Sequence, residues 1–318
     1  MTTTSETRAA RLELEPLRTT GPKPGFARGL LGQVADIWRH RELLDMLIRR
    51  ELKARYKDSA LGFVWSLMRP LAMLLIYYVA LGKFLGASRA IPDFAIFIYT
   101  GLTAWGLFSE AVTTGTSSIV GNSGLIKKVY LPREIFPLAA LGSSLFNFAI
   151  QLVILFSATV ALGDIPTGTR WGYLPLSLAV IVLTALGWSL LLSAINVYLR
   201  DITYLVEIGM MIFFWASPIA YAWSMVNKQV DSELLKQLYL ANPMTIAIMG
   251  FQKVFWVAAD GGPIPANATP EQVTLLTPQP WPDNLELRLW IWLAVGAVLT
   301  LVGQRVFARL QGNFAQEL

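Results

Sequence analysis

YLANPMTIAIMGFQKVFWVAA, residues 239 to 259, is the stretch on which the fold turns. A membrane-crossing helix needs roughly 20 apolar residues, and this run is long enough to add one crossing to the rest of the chain. Charge argues against that. A crossing here would put residues 260 to 287 on the cytoplasmic side, yet they include Asp260, Glu271, Asp283 and Glu286 and no Lys or Arg. It would also carry Arg305 and Arg309 outside, whereas basic residues favour the cytoplasmic side. Pro243 and Lys253 interrupt the run as well. The expectation is a re-entrant or interfacial helix pair on the external face, covered by protein.

The rest of the chain reads as membrane protein. Of its 318 residues, 54% are hydrophobic and 15% charged, and the mean hydropathy is +0.51, outside the range of soluble domains. Six apolar runs have spanning length: Gly62 to Phe84, Phe94 to Thr114, Ile135 to Leu162, Leu174 to Tyr198, Tyr204 to Met225 and Leu289 to Phe307. They lack the alternation of barrel strands, so helices are expected, giving an all-α integral membrane protein. Twelve Lys or Arg between Arg8 and Lys57 face the cytoplasm by the charge rule, as do Lys127, Lys128 and Arg133, then Arg200, then the basic C-terminal segment. Both termini are therefore expected inside. No apolar signal sequence opens the chain, so residues 1–25 are read as a disordered cytoplasmic tail, 26–60 as an interface helix and 61–318 as the six-span domain, with an external loop at 226–288. The net charge of +5 thus reports topology, not nucleic acid. With no cysteine and one histidine, His40, no metal site is expected.

Before the first run, helical periodicity places Ile37, Leu44, Leu47, Ile48 and Leu52 on one face and Arg39, Arg50, Lys53 and Lys57 opposite. An amphipathic helix on the cytoplasmic interface follows, its basic face toward anionic head groups. Arg41 and Arg55 fall on the apolar side and must snorkel or find partners.

Chemistry is missing. The chain has no GxxxxGK[ST] phosphate loop, GxGxxG, HExxH or GxSxG motif, and no paired carboxylates at catalytic spacing. What it does contain, in order, is RRELKARYKDSALGFVWSLMRPLAMLLIYYVALGKFLG, LIKKVYLPREIFPLAALGSSLFNFAIQLVIL, NVYLRDITYLVEIGMMIFFWASPIAYAWSM and LANPMTIAIMGF. These resemble the successive signatures of an ABC-2 type permease, and most closely the Wzm-type subunit that exports lipid-linked polysaccharides such as O-antigen, teichoic acid or cell-wall galactan. The resemblance runs from about Leu31 to the C-terminus. It implies a homodimer of six-span subunits in the plasma membrane and two copies of a separate subunit that binds ATP and Mg, with no cofactor in this chain. It also implies an amphipathic interface helix, a coupling helix in the second cytoplasmic seam and two external gate helices before the last span.

The candidate coupling segment is SGLIKKVYLPREIF, with apolar Leu125, Ile126, Val129 and Tyr130 set among Lys127, Lys128 and Arg133, and Pro132 to end the helix. The competing reading is a loop whose charges only fix topology. Arg200 and Asp201, adjacent at the end of the fourth run, are expected to satisfy helix-end carbonyls and each other, with contact to the ATP-binding subunit as the sharper alternative. Among the charges inside runs three stand out, each in the cytoplasmic third: Arg69, Glu110 and Glu207. A charge at the centre of a spanning helix costs roughly 2.5–3.5 kcal/mol, so each needs a partner or a use. Arg69 could pair with Glu110 or with the diphosphate of a lipid-linked substrate. Among the deeper aromatics, Tyr77, Tyr99, Trp105, Phe108, Phe213, Phe214 and Trp215 are candidates for a channel wall on which sugar rings slide, set against ordinary packing. Pro218 is expected to bend the fifth helix. An ABC-2 drug or small-lipid exporter is the alternative within transport. A glycan-processing enzyme lacks its acidic cluster, and a scaffold would have no use for coupling and gate helices.

Overall fold

The computed structural model describes residues 38–56, 64–128, 131–265 and 267–318, with the side chains of residues 55, 56, 64–67, 69 and 315 outside it. The expected tail 1–25 and the start of the interface helix fall outside these residues. Within them the chain is helical, without strands.

Helix α1 is Arg41–Tyr56. α2, Val64–Tyr77, contains Pro70 and passes straight into a π-helical segment, Tyr78–Phe84, so helical backbone covers the described part of the first predicted run. α3 is Phe94–Gly121, α4 the short Ser123–Ile126, α5 Ile135–Leu162 and α6 Tyr173–Tyr198. α7 follows at Ile202–Trp215, then α8 at Trp223–Gln229 and α9 at Glu233–Leu240. α10 is Pro243–Phe255, α11 Pro270–Leu276, α12 Leu285–Leu310 and α13 Phe314–Glu317.

Four of these segments, 94–121, 135–162, 168–198 and 285–313, are long and apolar enough to cross a membrane. α3 is the central one: 78% of its apolar window is buried, against 17% for the last. It packs against α5, α6, α10, α7 and α2. α6 and α12 make the closest helix pair, and glycine permits it. A Cβ on Gly187 would stand 2.9 Å from the Leu299 carbonyl carbon, and one on Gly303 would collide with the Gly187 carbonyl oxygen, as expected where small residues let helices meet backbone to backbone.

The fifth run departs from expectation. Tyr204 to Met225 is not one helix: α7 stops at Trp215 and the chain turns through 216–222 before α8. Pro218 accompanies the end of the helix here instead of a bend: its ring and missing N–H disfavour continuation, and donors elsewhere in the chain satisfy the carbonyls set free. The break frees backbone carbonyls, and the opening stretch answers them. Asn242 Nδ2 donates to Ala216 O at 3.2 Å, Thr245 Oγ1 to the same oxygen at 3.2 Å, and Gln252 Nε2 to Pro218 O at 2.7 Å. Asn242 also caps α10, accepting from Met244 N at 2.9 Å with Pro243 behind it at the first helical position. At about 1.5 Å per residue, α10 is roughly 20 Å long, short of the ~30 Å hydrocarbon layer, and nearly every residue from Met244 to Phe255 is buried. The polar residues that interrupt 239–259 are thus the ties that let broken backbone lie inside the protein.

α1 also differs in emphasis. It docks on α5: Leu47 is 3% exposed, Ile48 lies over Gly142, and Ser143 Oγ donates to Glu51 at 3.1 Å. Its apolar stripe meets protein, and Arg41, on that stripe, finds the Trp38 ring at 5.9 Å.

Candidate transport path and coupling surface

Five of the seven candidate channel aromatics form one chain of ring contacts across three helices. Tyr77 of α2 stacks on Phe214 of α7 at 5.9 Å; Phe214 meets Trp105 of α3 edge-on at 5.8 Å and Trp215 at 5.5 Å; and Trp105 lies 5.8 Å from Phe108. The series runs from exposed Trp215 through half-buried Tyr77 and Phe214 to buried Trp105 and Phe108. Offset and edge-to-face rings hold the helices together while keeping faces available. Two candidates stay outside: Phe213 is 46% exposed and, among the described residues, touches no ring, while Tyr99 is buried with its hydroxyl unsatisfied.

Of the three intramembrane charges, Glu110 is half-buried and accepts from Asn147 Nδ2 of α5 at 2.8 Å. The Arg69 side chain lies outside the described residues, and Glu207 is exposed on α7.

At the opposite end from α10, the C-terminal ends of α3, α6 and α12 and the start of α5 close over a second apolar cluster that includes Leu47, Ile119, Ile126, Phe136, Phe307 and Phe314. The candidate coupling segment sits on it. α4 turns Ile126 inward, 7% exposed, and leaves Lys127 and Lys128 exposed; Val129 and Tyr130 lie outside the described residues. Arg133 lies over the Phe314 ring at 5.6 Å, and its neighbour Glu134 accepts from Gln311 Nε2 at 3.2 Å. Phe314 is fully buried and edge-on to Phe307 at 5.4 Å. Tyr198 Oη donates to Leu310 O at 2.9 Å, fixing the last turn of α12 beside it.

The Arg200–Asp201 expectation needs correcting. Both side chains are exposed and, among the described residues, neither makes an ion pair or hydrogen bond. The turn is held instead by Thr203 Oγ1 donating to Asn196 Oδ1 at 3.1 Å, while Asn196 Nδ2 donates to Thr116 O of α3 at 3.1 Å. A buried amide is a firmer tie than two solvated charges.

Residues 42–256 match the family model described as ABC-2 type transporter. The chain belongs to that family. Curated relatives agree with this ABC-2 assignment. One is the O-antigen export system permease protein RfbA of Myxococcus xanthus, 32% identical over 225 residues, covering 70% of this chain and 84% of the relative. The protein of the same name from Klebsiella pneumoniae is 26% identical over 278 residues, 87% of this chain and 95% of its own. The polysialic acid transport protein KpsM of Escherichia coli is 24% identical over 195 residues, 60% and 74% of the two chains. The ABC-2 chain described here is accordingly a multi-pass membrane protein and not itself an enzyme.

Sequence reasoning did not single out Phe314, Gln311 and Glu134, which pack together at the candidate coupling segment. The signal was faint: one aromatic among polar neighbours in QGNFAQEL, after the basic end of a spanning helix. It also missed the polar ties of α10, where Asn, Thr and Gln inside an apolar run were the readable sign.

Proposed function

We propose that this chain is the permease subunit of an ATP-driven exporter that moves a lipid-linked polysaccharide from the cytoplasm across the plasma membrane. The observation that carries the reading is the similarity of 87% of the chain to 95% of an O-antigen export permease. The absence of a phosphate loop from the sequence fits it, since ABC-2 permeases of polysaccharide exporters work with a separate ATP-binding subunit, which holds ATP and Mg. In this reading the chain crosses six times: the four long helices, the kinked α2 with its π-helical extension, and α7. The segments α8 to α11 form the external gate region, and both termini lie inside. Two copies enclose the path. Exposed apolar faces on α2 (Leu75, Ile76) and α7 (Tyr204, Met211) supply surface for that pairing. The linked aromatics Tyr77, Trp105, Phe108, Phe214 and Trp215 line or gate the route, offering flat faces to sugar rings without one tight site. Arg69, Glu110 and Glu207 serve the diphosphate end of the cargo. Lys127, Lys128, Arg200 and Asp201, exposed at one end, meet the ATP-binding subunit.

The test is export by cells carrying this chain, its neighbouring ATPase and the glycan's transferases. Removing the chain should trap the finished lipid-linked glycan inside. Export that continues without it, or ATP hydrolysis by the purified chain alone, would overturn the proposal. Because the sequence has no cysteine, single cysteines at Ser232, Gln272 and Gln316 report topology directly: the first two should react with an impermeant reagent on intact cells and the third should not.

A further inference from the structure

Lys253 differs from the cations around it. Arg170 is paired with Asp260, and Arg288 donates to Gln237 Oε1 at 2.7 Å and to Asp283 O at 3.2 Å. Lys253 is half-buried on α10 and, among the described residues, meets no carboxylate; its Nζ stands 4.9 Å from the centre of the Trp281 ring. Burial and then the charge of nearby Arg170 lower its pKa. The surroundings therefore work against an ammonium that an anion would stabilise.

The side chain lines an open cleft of about 540 Å³ with Tyr173, Trp281, Asn284, Glu286 and Trp290. Glu286 is the acid among these, exposed and not paired with Lys253 among the described residues. The cleft opens at the first turn of α12. From there an exposed apolar row descends that helix at spacings of three and four: Leu287, Trp290, Ile291, Val295, Val298 and Val302. In the membrane placement proposed above, such a row faces hydrocarbon. A cation half-removed from water, an aromatic ring beneath it and a hydrocarbon-facing groove leading away describe a receptor for an anion attached to an acyl or prenyl chain. At the depth where a spanning helix enters the bilayer, the abundant anion is phosphate.

We propose that this cleft binds a lipid-borne phosphate, with phosphate oxygens on the Lys253 ammonium and the hydrocarbon chain along the Leu287–Trp290–Ile291 face. The inference rests on the membrane placement in the function proposed above, not on the nature of the cargo. Two lipids carry this chemistry, an anionic phospholipid and the phosphorylated carrier of a glycan.

The full chain, purified in mild detergent, is titrated with phosphatidylglycerol, a polyprenyl diphosphate, phosphatidylcholine and inorganic diphosphate, and binding is read by thermal midpoint and native mass spectrometry. At least one anionic lipid should bind, Lys253→Gln should weaken it roughly tenfold or more, and Lys253→Arg should retain it. Tighter binding of phosphatidylglycerol marks a phospholipid site, and tighter binding of polyprenyl diphosphate a cargo site. Wild-type affinity in Lys253→Gln, or inorganic diphosphate binding as tightly as the lipids, overturns the proposal. Should Lys253→Gln fail to fold, photoreactive phosphatidylglycerol and a photoreactive polyprenyl diphosphate on the wild type decide together. Labelling of the peptide containing Trp290 supports the site, and labelling confined elsewhere sinks it. Lipid binding that persists in a chain inactive for export would count against the transport reading alone.

Discussion

Phe314→Ala is the most informative single change to the coupling end. The ring is fully buried, edge-on to Phe307 and under the Arg133 guanidinium. Truncating a buried Phe to Ala costs about 3–5 kcal/mol; the lost cation–π contact, about 0.5–1 kcal/mol at a partly exposed site, falls within that total. Beyond α12 the segment is tied mainly through side chains, among them the Gln311–Glu134 hydrogen bond, the Tyr198–Phe314 ring contact at 6.3 Å and Leu318 packed on the apolar cluster. The loss should therefore appear as local opening, not global unfolding. Taking the lower bound of about 3 kcal/mol at ~1.4 kcal/mol per tenfold, the open population rises on the order of a hundredfold. Hydrogen–deuterium exchange on the full chain should show lost protection at residues 307–318 and at 125–136, because Arg133 and Glu134 lose their anchor, while the centre of α3 stays protected. Phe314→Leu should fall between. Exchange that rises at 307–318 and leaves 125–136 unchanged would refute the reasoning, showing the C-terminal ring to be a passenger and not a support of the coupling segment.

Three further outcomes are expected. Gln252→Leu strands the Pro218 carbonyl inside the protein and should destabilise it by about 1–3 kcal/mol, seen as a lower thermal midpoint. Gly187→Val should overpack the seam between α6 and α12, with a cost of about 1–3 kcal/mol or more in the same assay, whereas valine at Gly124, which has open space around it, should be tolerated. Asp93, at the start of α3, has its carboxyl raised to about 6, first by burial and then by the hydrogen bond and charge of Asp164. A carboxyl that holds its proton more tightly when folded contributes stability that is present below about pH 4 and lost as pH rises through 6. The thermal midpoint of the wild type should fall across that window, and that of Asp93→Asn should stay flatter, asparagine being tolerated at the positive φ of 43° found there.

Much of the bundle could be read from the chain because each boundary has a local chemical cause. α5 begins and ends where the apolar run does, at Ile135 and Leu162, with Pro132 just before it and Gly163 at a positive φ just after. A short, protein-covered helix at 243–255 was legible from charge balance together with Pro243 and Lys253 inside the run. The broken fifth run was not, because Pro218 can bend a helix or end it, and the choice depends on whether donors elsewhere can satisfy the freed carbonyls. Asn242, Thr245 and Gln252 lie more than twenty residues away in sequence, and no local rule connects them to Pro218. Candidate aromatics were legible as a set, but only packing could separate the five that touch from Tyr99 and Phe213. Phe314 escaped notice because burial of an isolated ring is decided by what folds over it.

The seam at Gly187 and Gly303 has a consequence for how the molecule can change shape. Two backbones with no side chain between them sit like a welded joint: a carbon added at either glycine would strike the opposite main chain. Under the proposed transport role, travel falls to short or kinked pieces such as α2, its π-helical extension and α7. The welded pair is the frame, and those outer pieces are the door.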